Sequence, residues 1–152
     1  MKNRTPTRRF PVYAVLAVAI LATAALAQTG VANRSVQKRI NTMIAANTAV
    51  DTLAKMMGGN LRFDRRRARD ARRTLIAVTR SIPSEFRKRQ SDPLSRASPV
   101  IWTQWGDFKS RARTAKDTAQ ALDASRMAAL RATLPDMIRA CQDCHRSYRS
   151  GP

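Results

Sequence analysis

Apolar residues recur at steps of three and four along most of the chain from Val36 onward, and no stretch alternates with a period of two. This spacing places apolar side chains on one face of an α-helix. Four stretches carry the pattern, and the connections between them are mostly short. Four amphipathic helices joined in this way bury their apolar faces against one another. The sequence therefore predicts an all-α fold, an antiparallel four-helix bundle.

Signals for helix ends flank these stretches. Paired glycines favour a helix C-terminus, whereas Asp, Ser and a Ser-Pro pair favour an N-terminus. The positions that carry such residues are Gly58, Gly59, Asp64, Ser98, Pro99, Asp123 and Ser125. Proline lacks the backbone donor, so we expect Pro83 to end the second helix and Pro135 to bend or break the fourth.

The first residues of the chain are basic and then apolar. Four basic residues among the first nine precede an apolar stretch over residues 12–25, which leads into the sequence Ala-Leu-Ala. This order is typical of a secretory signal peptide. A membrane anchor is the alternative, but about 15 apolar residues fall short of the roughly 20 that a spanning helix needs. We therefore expect a signal peptide over residues 1–27, export to the periplasm and a mature domain over residues 28–152.

The chain is strongly basic, with 29 Lys plus Arg against 10 Asp plus Glu and a formal net charge of +19. Without residues 1–27, 25 basic and 10 acidic residues are left, a net charge of +15. An exported protein does not meet the genome, so we expect no nucleic-acid partner, but rather acidic proteins or an anionic membrane surface. Six arginines between residues 65 and 73 form either the solvated face of the second helix or a docking surface.

Near the C-terminus, Cys141, Cys144 and His145 form the pattern C-x-x-C-H. This is the attachment sequence of c-type haem. Residues three and four apart share one helix face, so both sulfurs can bond the vinyl groups of one porphyrin edge while the imidazole reaches the iron. A disulfide is disfavoured by helix geometry, a thioredoxin-type pair lacks its βαβ context, and a zinc site lacks ligands. We expect one covalent haem c, in the bundle core near the last helix.

With its signal peptide and four helices, the chain resembles the class II c-type cytochromes, the cytochrome c′ family, over residues 34–149. The matching residues are Arg39 with Met43 four positions later, Phe63 and Asp64 before the second helix, Ile101, Trp102 and Phe108 in the third, and Tyr148 and Arg149 after the haem motif. The resemblance implies that Cys141 and Cys144 are thioether anchors and that His145 is the proximal iron ligand.

The resemblance also implies roles for three further residues. Arg39 would lie by a haem propionate, and Arg149 near the haem on the His145 side. Met43 would either ligate the iron as the sixth ligand or cover the distal face as an apolar side chain. Because the first and last helices are antiparallel neighbours, Met43 is level with His145. Met56 and Met57 lie roughly 20 Å further along the first helix than Met43, and Met137 lies about 12 Å from His145 along the last helix.

These features predict a one-electron carrier, with no residues arranged for enzymatic catalysis, that reacts with acidic redox partner proteins. The alternative is a five-coordinate relative that binds or scavenges NO or CO at an open iron. A weaker third hypothesis is a docking protein in which haem serves as a structural staple. Many five-coordinate family members dimerise through the first two helices, and the arginines of the second helix oppose such pairing. We therefore favour a monomer, with a homodimer as the alternative.

Overall fold

The computed structural model describes residues 30–151. Within this range it contains five helices, namely α1 (Arg34–Met57), α2 (Arg65–Glu85), α3 (Val100–Thr103), α4 (Trp105–Ala121) and α5 (Met127–Tyr148). The described residues contain no β-strand, and Ala97 and Arg149 form an isolated bridge. No helix in this part of the chain is long and apolar enough to span a membrane. The predicted signal peptide lies outside the described residues.

The four long helices close into a ring. Helix α1 packs against α2 and α5, α2 packs against α4, and α4 packs against α5. The single-turn helix α3 contacts α4 and α5. Each long helix thus buries its apolar face against two neighbours, and the predicted four-helix bundle is confirmed.

Two helix ends follow the sequence signals. Gly58 is the C-cap of α1, and Gly59 adopts a φ of +81°, a left-handed conformation that glycine accommodates without strain. Asp64 caps α2, since its side chain accepts a hydrogen bond from the backbone N–H of Arg67 at 2.9 Å. The carboxylate thereby satisfies one of the free donors in the first turn.

Two predicted ends are wrong. Helix α2 continues through Pro83 to Glu85 although proline lacks the backbone donor, because the buried side chains of Ile82 and Phe86 hold this last turn against the core. Helix α5 begins at Met127 without a side-chain cap. Asp123 instead accepts a hydrogen bond from the backbone N–H of Ser125 at 2.8 Å, so its carboxylate closes a local turn before the helix.

The predicted third helix is divided in two. Gln104 has φ −114° and ψ 42° and separates α3 from α4. Trp102, on α3, donates a hydrogen bond from Nε1 to the carbonyl of Phe86 at 2.9 Å, which ties this turn to the chain that follows α2. Helix α5, in contrast, runs unbroken through Pro135. Packing of fully buried neighbours such as Leu134 holds that segment helical despite the lost donor.

The buried side chains form two clusters. The aliphatic cluster consists of Ala49, Leu53, Met56, Ala68, Ala71, Leu75, Ala119, Leu122, Ala124, Leu130, Leu134 and Met137. The aromatic cluster consists of Ile82, Phe86, Ile101, Phe108, Ala112 and Tyr148. In the latter the Phe108 ring lies 5.3 Å from Phe86 and 5.2 Å from Tyr148, as aromatic pairs prefer. A cavity in the bundle is lined by the aromatic cluster and by Met137 of the aliphatic cluster.

Candidate haem site

A cavity of about 680 Å³ lies within the bundle, and its lining residues are mostly apolar. All four long helices contribute to its walls, together with residues 94–97 of the segment between α2 and α3. Small side chains at Ala46, Thr79, Ala112 and Ala115 face this space. The volume falls within the range of about 300–1,000 Å³ that is usual for cofactor and ligand pockets. The bundle therefore has room for a large apolar group.

The three residues of the haem motif line this cavity together. Cys141 and Cys144 are half-buried free thiols, and His145 follows at the exposed rim. They occupy positions i, i+3 and i+4 of α5, which share one helix face. Both thiols and the imidazole are thus presented to the same space, as the sequence spacing predicts.

The surroundings disfavour the charged form of all three groups. Burial raises the pKa of the Cys141 thiol and raises that of Cys144 to about 11, although the nearby Arg111 opposes the second shift. Partial desolvation by the neighbouring side chains, and secondly the positive charge of Arg149, lower the pKa of His145. A neutral imidazole is the form that binds a metal ion. The electrostatics of the wall therefore suit the ligand role of His145.

The other predicted site residues also reach the cavity. Met43 from α1, Arg39 one turn before it, and Arg149 after α5 all contribute to the lining. Met137 lines it as well, but its sulfur accepts a hydrogen bond from the Thr118 hydroxyl at 3.6 Å and it is fully buried.

Two methionines of α1 point elsewhere. Met56 belongs to the aliphatic cluster, and Met57 packs against that cluster. Neither lines the cavity, whereas Met43 does and is half-buried. Met43 is thus the methionine of α1 that the cavity accommodates.

Arg39 is buried, with only 3% of its surface exposed. Its Nε donates to the carbonyl of Glu85 at 2.9 Å, Nη1 to that of Gln90 at 3.1 Å and Nη2 to that of Lys88 at 2.5 Å. The guanidinium also lies 4.8 Å from the centre of the Phe86 ring. Burial lowers the pKa of Arg39, and the negative charge of Glu85 opposes this shift. The side chain therefore fixes the C-terminal end of α2 and the segment after it.

The Arg39 contacts predict a large effect on stability. Replacing Arg39 by alanine removes three charge-assisted hydrogen bonds and leaves their part-buried carbonyl acceptors without this partner, so Arg39→Ala should lower the free energy of unfolding by about 3 kcal/mol. Urea unfolding of the holoprotein, followed by circular dichroism, measures this change. Arg34→Ala, at an exposed arginine of the same helix, should shift stability by no more than about 0.5 kcal/mol. Equal losses in the two variants would contradict the structural role of Arg39.

Sequence reasoning missed a network that anchors the haem motif. The Tyr148 hydroxyl donates to Oδ2 of Asp107 at 2.5 Å, and Arg111 Nε donates to the same oxygen at 2.7 Å. Arg111 Nη1 also donates to the carbonyl of Asp143, inside the motif, at 3.2 Å. The hydrogen bond from Tyr148, and then that from Arg111, lower the pKa of Asp107. Helix α4 thereby positions the end of α5, and the i, i+4 spacing of Asp107 and Arg111 is the one sequence signal for this contact.

The segment between α2 and α3 closes the same end of the bundle. The backbone N–H of Ser98 donates to the carbonyl of Tyr148 at 3.0 Å, and that of Ser150 to the carbonyl of Arg96 at 2.8 Å. The side chain of Leu94 lines the cavity and is 53% exposed. A polar connection in the sequence thus forms part of the cavity wall, because its backbone is tied to the residues that follow the haem motif.

An all-α bundle whose cavity presents C-x-x-C-H defines the class of c-type cytochromes with a helical-bundle fold. A family model described as Cytochrome C' matches residues 34–149, and the chain belongs to this family. Cytochrome c-556 of Agrobacterium tumefaciens (strain II Chrys) is 28% identical over 117 residues, which cover 75% of this chain and 95% of that protein. The resemblance stated from the sequence is confirmed.

Solved structures show the same fold. Cytochrome c′ from Rhodopseudomonas palustris superposes with a TM-score of 0.70 at 19% identity, over 78% of this chain and 98% of that one. A nitric oxide complex of a cytochrome c prime mutant from Alcaligenes xylosoxidans gives a TM-score of 0.67 at 21% identity, over 77% and 94%. The bundle is therefore a cytochrome c′ bundle.

The family's cofactor is one covalent haem c with its iron, and the residues of this chain fit it. Two free thiols and one imidazole share a helix face on the cavity wall, and the remaining walls are mostly apolar. A macrocycle with an apolar body and two acidic substituents needs such a cavity with cations in its lining, and Arg39, Arg96 and Arg149 belong to the lining. The protein is a haem c cytochrome.

Proposed function

We propose that this cytochrome is a periplasmic one-electron carrier and not an enzyme. The observation that carries the proposal is the pairing of Met43, on α1, with His145, on α5, in the lining of one cavity. Histidine with methionine is the ligand pair that raises the potential of a haem and suits electron transfer. The predicted signal peptide and the strongly basic composition agree with an exported protein that meets acidic partners.

Each site residue has a role in this proposal. Cys141 and Cys144 would form the thioether bonds, His145 would be the proximal ligand of the iron and Met43 its second protein ligand. Three of the five N–H donors of the Arg39 guanidinium bond to carbonyls, and the other two are available to a propionate. Arg149, whose positive charge lowers the pKa of His145, lies on the proximal side.

When bound, the haem supplies a one-electron Fe(III)/Fe(II) couple. The chain contributes orientation and exclusion of water. Asp107, Tyr148 and Arg111 fix the end of α5 that carries His145. The aromatic cluster packs beside Cys144 and Met43 and keeps that end of the site apolar. A site that moves little between oxidation states is what an electron carrier requires, and these contacts provide it.

A second candidate function is the binding of NO or CO at an open iron. One solved relative is a nitric oxide complex, and another from Alcaligenes xylosoxidans is a carbon monoxide complex. In this alternative Met43 only covers the distal side. Its half-buried position in the cavity lining agrees with that role too. The two functions therefore differ in whether the Met43 sulfur is bonded to the iron.

Carbon monoxide binding to the ferrous protein separates the two functions. If the Met43 sulfur occupies the sixth position, it must leave before CO binds, so the observed rate should level off as the CO concentration rises. An open iron would give a rate that increases in proportion to CO. Stopped-flow mixing measures this dependence, with Met57→Leu as the control, since Met57 lies outside the cavity lining. A linear dependence in the unmodified protein would favour gas binding over electron transfer.

We infer that the protein is a monomer at low ionic strength. Arg65, Arg66, Arg67 and Arg69 are exposed at the start of α2, and pairing two such surfaces would bring like charges together. Sedimentation equilibrium at low salt should therefore give the mass of one chain with one haem. At 0.15 M ionic strength, screening shortens the range of the repulsion between these arginines to about 8 Å. Any association should therefore appear only at high salt. A tight dimer at low salt would contradict this inference.

A further inference from the structure

A second cavity, of about 320 Å³, opens between α2 and α4. We call it the basic groove, and it is lined by Thr79, Arg80, Pro83, Lys109, Ala112, Arg113 and Lys116. Four of these seven residues are cationic and none is acidic. The groove is thus a concave surface of one sign of charge, distinct from the rim of the haem cavity.

Two helices contribute the cations of the basic groove. Lys109, Arg113 and Lys116 occupy positions i, i+4 and i+7 of α4 and share one face, and Arg80 faces them from α2. Among the described residues, Arg80, Lys109 and Arg113 have no carboxylate within ion-pair distance. Lys116 contacts the carboxylate of its neighbour Asp117 at 3.9 Å. Uncompensated cations in a concave surface concentrate anions there.

The groove is separated from the haem cavity by a single layer of side chains. Thr79 and Ala112 line both cavities, and both residues are buried. A molecule seated in the groove therefore lies one small side chain away from the space that the haem motif faces. Electron tunnelling weakens steeply with distance, so a thin wall of small residues favours exchange at this point.

The arginine-rich start of α2 is less suited to the same task. Arg72 donates to the carbonyls of Leu122 at 2.6 Å and Gln120 at 2.7 Å, and Arg73 is paired with Asp70. Part of that run is therefore engaged in holding α2 to the end of α4. It also lies beside the aliphatic cluster, at the end of α2 away from the cavity lining residues Val78, Thr79 and Ile82.

We propose that the basic groove is the docking surface for an acidic electron-exchanging protein, which seats a carboxylate-rich patch against Arg80, Lys109, Arg113 and Lys116. This inference rests on the proposed electron-carrier function and names the place where the partner binds. One electron passes between partner and cytochrome, one protein being oxidised as the other is reduced, and no bond or proton is transferred. Charge complementarity of this kind sets the rate of encounter and the orientation of the complex.

Three probes test the groove on the holoprotein: an acidic peptide, an anionic oxidant and, for a membrane as the alternative occupant, phosphatidylglycerol vesicles. A hexaglutamate peptide is added to the ¹⁵N-labelled, CO-bound ferrous protein, which is diamagnetic whatever the native sixth ligand, and amide shifts are mapped. Hexacyanoferrate(III) is used as an anionic oxidant of the ferrous protein in stopped-flow experiments at low salt. The groove variant is Lys109→Gln/Arg113→Gln/Lys116→Gln. The control Arg62→Gln/Arg65→Gln/Arg69→Gln removes the same charge from exposed residues elsewhere.

The proposal expects the peptide to shift the groove amides and the groove variant to abolish those shifts. It also expects the groove variant to slow oxidation about tenfold and the control about twofold. Shifts centred on Arg96 and Arg149 at the haem-cavity rim, or equal slowing in both variants, would overturn it. The proposal would also be overturned if the groove variant lost binding to phosphatidylglycerol vesicles but still showed the same peptide-induced shifts as the unmodified protein. The groove would then bind a membrane and not an acidic protein. Peptide mapping involves no electron transfer, so it can fail or succeed independently of the carrier function, which CO kinetics decide.

Discussion

Replacing both Cys141 and Cys144 by alanine should abolish covalent haem attachment. The two thiols are free, half-buried and on one face of α5 with His145, and the alanine variant has no sulfur to form a thioether. After acid–acetone extraction, mass spectrometry should give the mass of residues 28–152 plus one haem for the unmodified protein. The double variant should give the polypeptide mass alone.

The same variant should also be much less stable. Without the macrocycle, the bundle keeps an apolar cavity of about 680 Å³ whose walls lack packing partners. Cys141→Ala and Cys144→Ala singly are the controls, since each keeps one sulfur and should keep one thioether bond. If the protein without substitutions gives the polypeptide mass with no haem adduct, the attachment site is wrong. If its mass shows that residues before position 28 are retained, the signal-peptide prediction is wrong.

Met43→Leu should convert a low-spin haem into a high-spin one and open the iron to CO and NO. Leucine nearly conserves the volume of methionine but has no sulfur, so the change reports lost ligation and not a new void. The affinity for CO should rise, and the CO binding rate should become proportional to the CO concentration. Met43→Ala should give the same spin state with lower stability, because it adds a cavity.

Two matched variants make this prediction specific. Met57→Leu and Met56→Leu alter methionines on the same helix that lie outside the cavity lining, so their spectra should match that of the unmodified protein. Met137→Leu tests the other methionine in the lining, whose sulfur accepts a hydrogen bond from Thr118. If Met137→Leu and not Met43→Leu changes the spin state, the ligand assignment is wrong.

Local patterns were sufficient for much of the fold. The three-and-four spacing predicts the four long helices, and the caps at Gly58 and Asp64 are found where the residues indicate. The haem motif also needs no tertiary information, because its three residues share one turn of one helix. These features depend on contacts between near neighbours in sequence.

Features that depend on distant contacts were not predictable in this way. Arg39 donates to carbonyls at the end of α2 and in the segment after it, about 50 positions later. The spacing of residues around Arg39 therefore does not predict the path of that segment. Packing and not propensity keeps helix α5 intact at Pro135. A partial exception is the pair of alanines on the apolar face of α4, Ala112 and Ala115. Small residues at core positions leave space for a cofactor, so these two indicate a cavity. The wall they share with the basic groove becomes visible only when α2 is packed beside them.

The optical spectrum of the ferric, unmodified protein tests the central claim most directly. With His145 and Met43 both bonded to the iron, the spectrum should show low-spin bands at neutral pH, and Met43→Leu should replace them with high-spin bands. A high-spin spectrum of the unmodified protein that Met43→Leu leaves unchanged would contradict the electron-carrier account. Met43 would then be an apolar cover over a five-coordinate iron, and gas binding would be the function of this cytochrome.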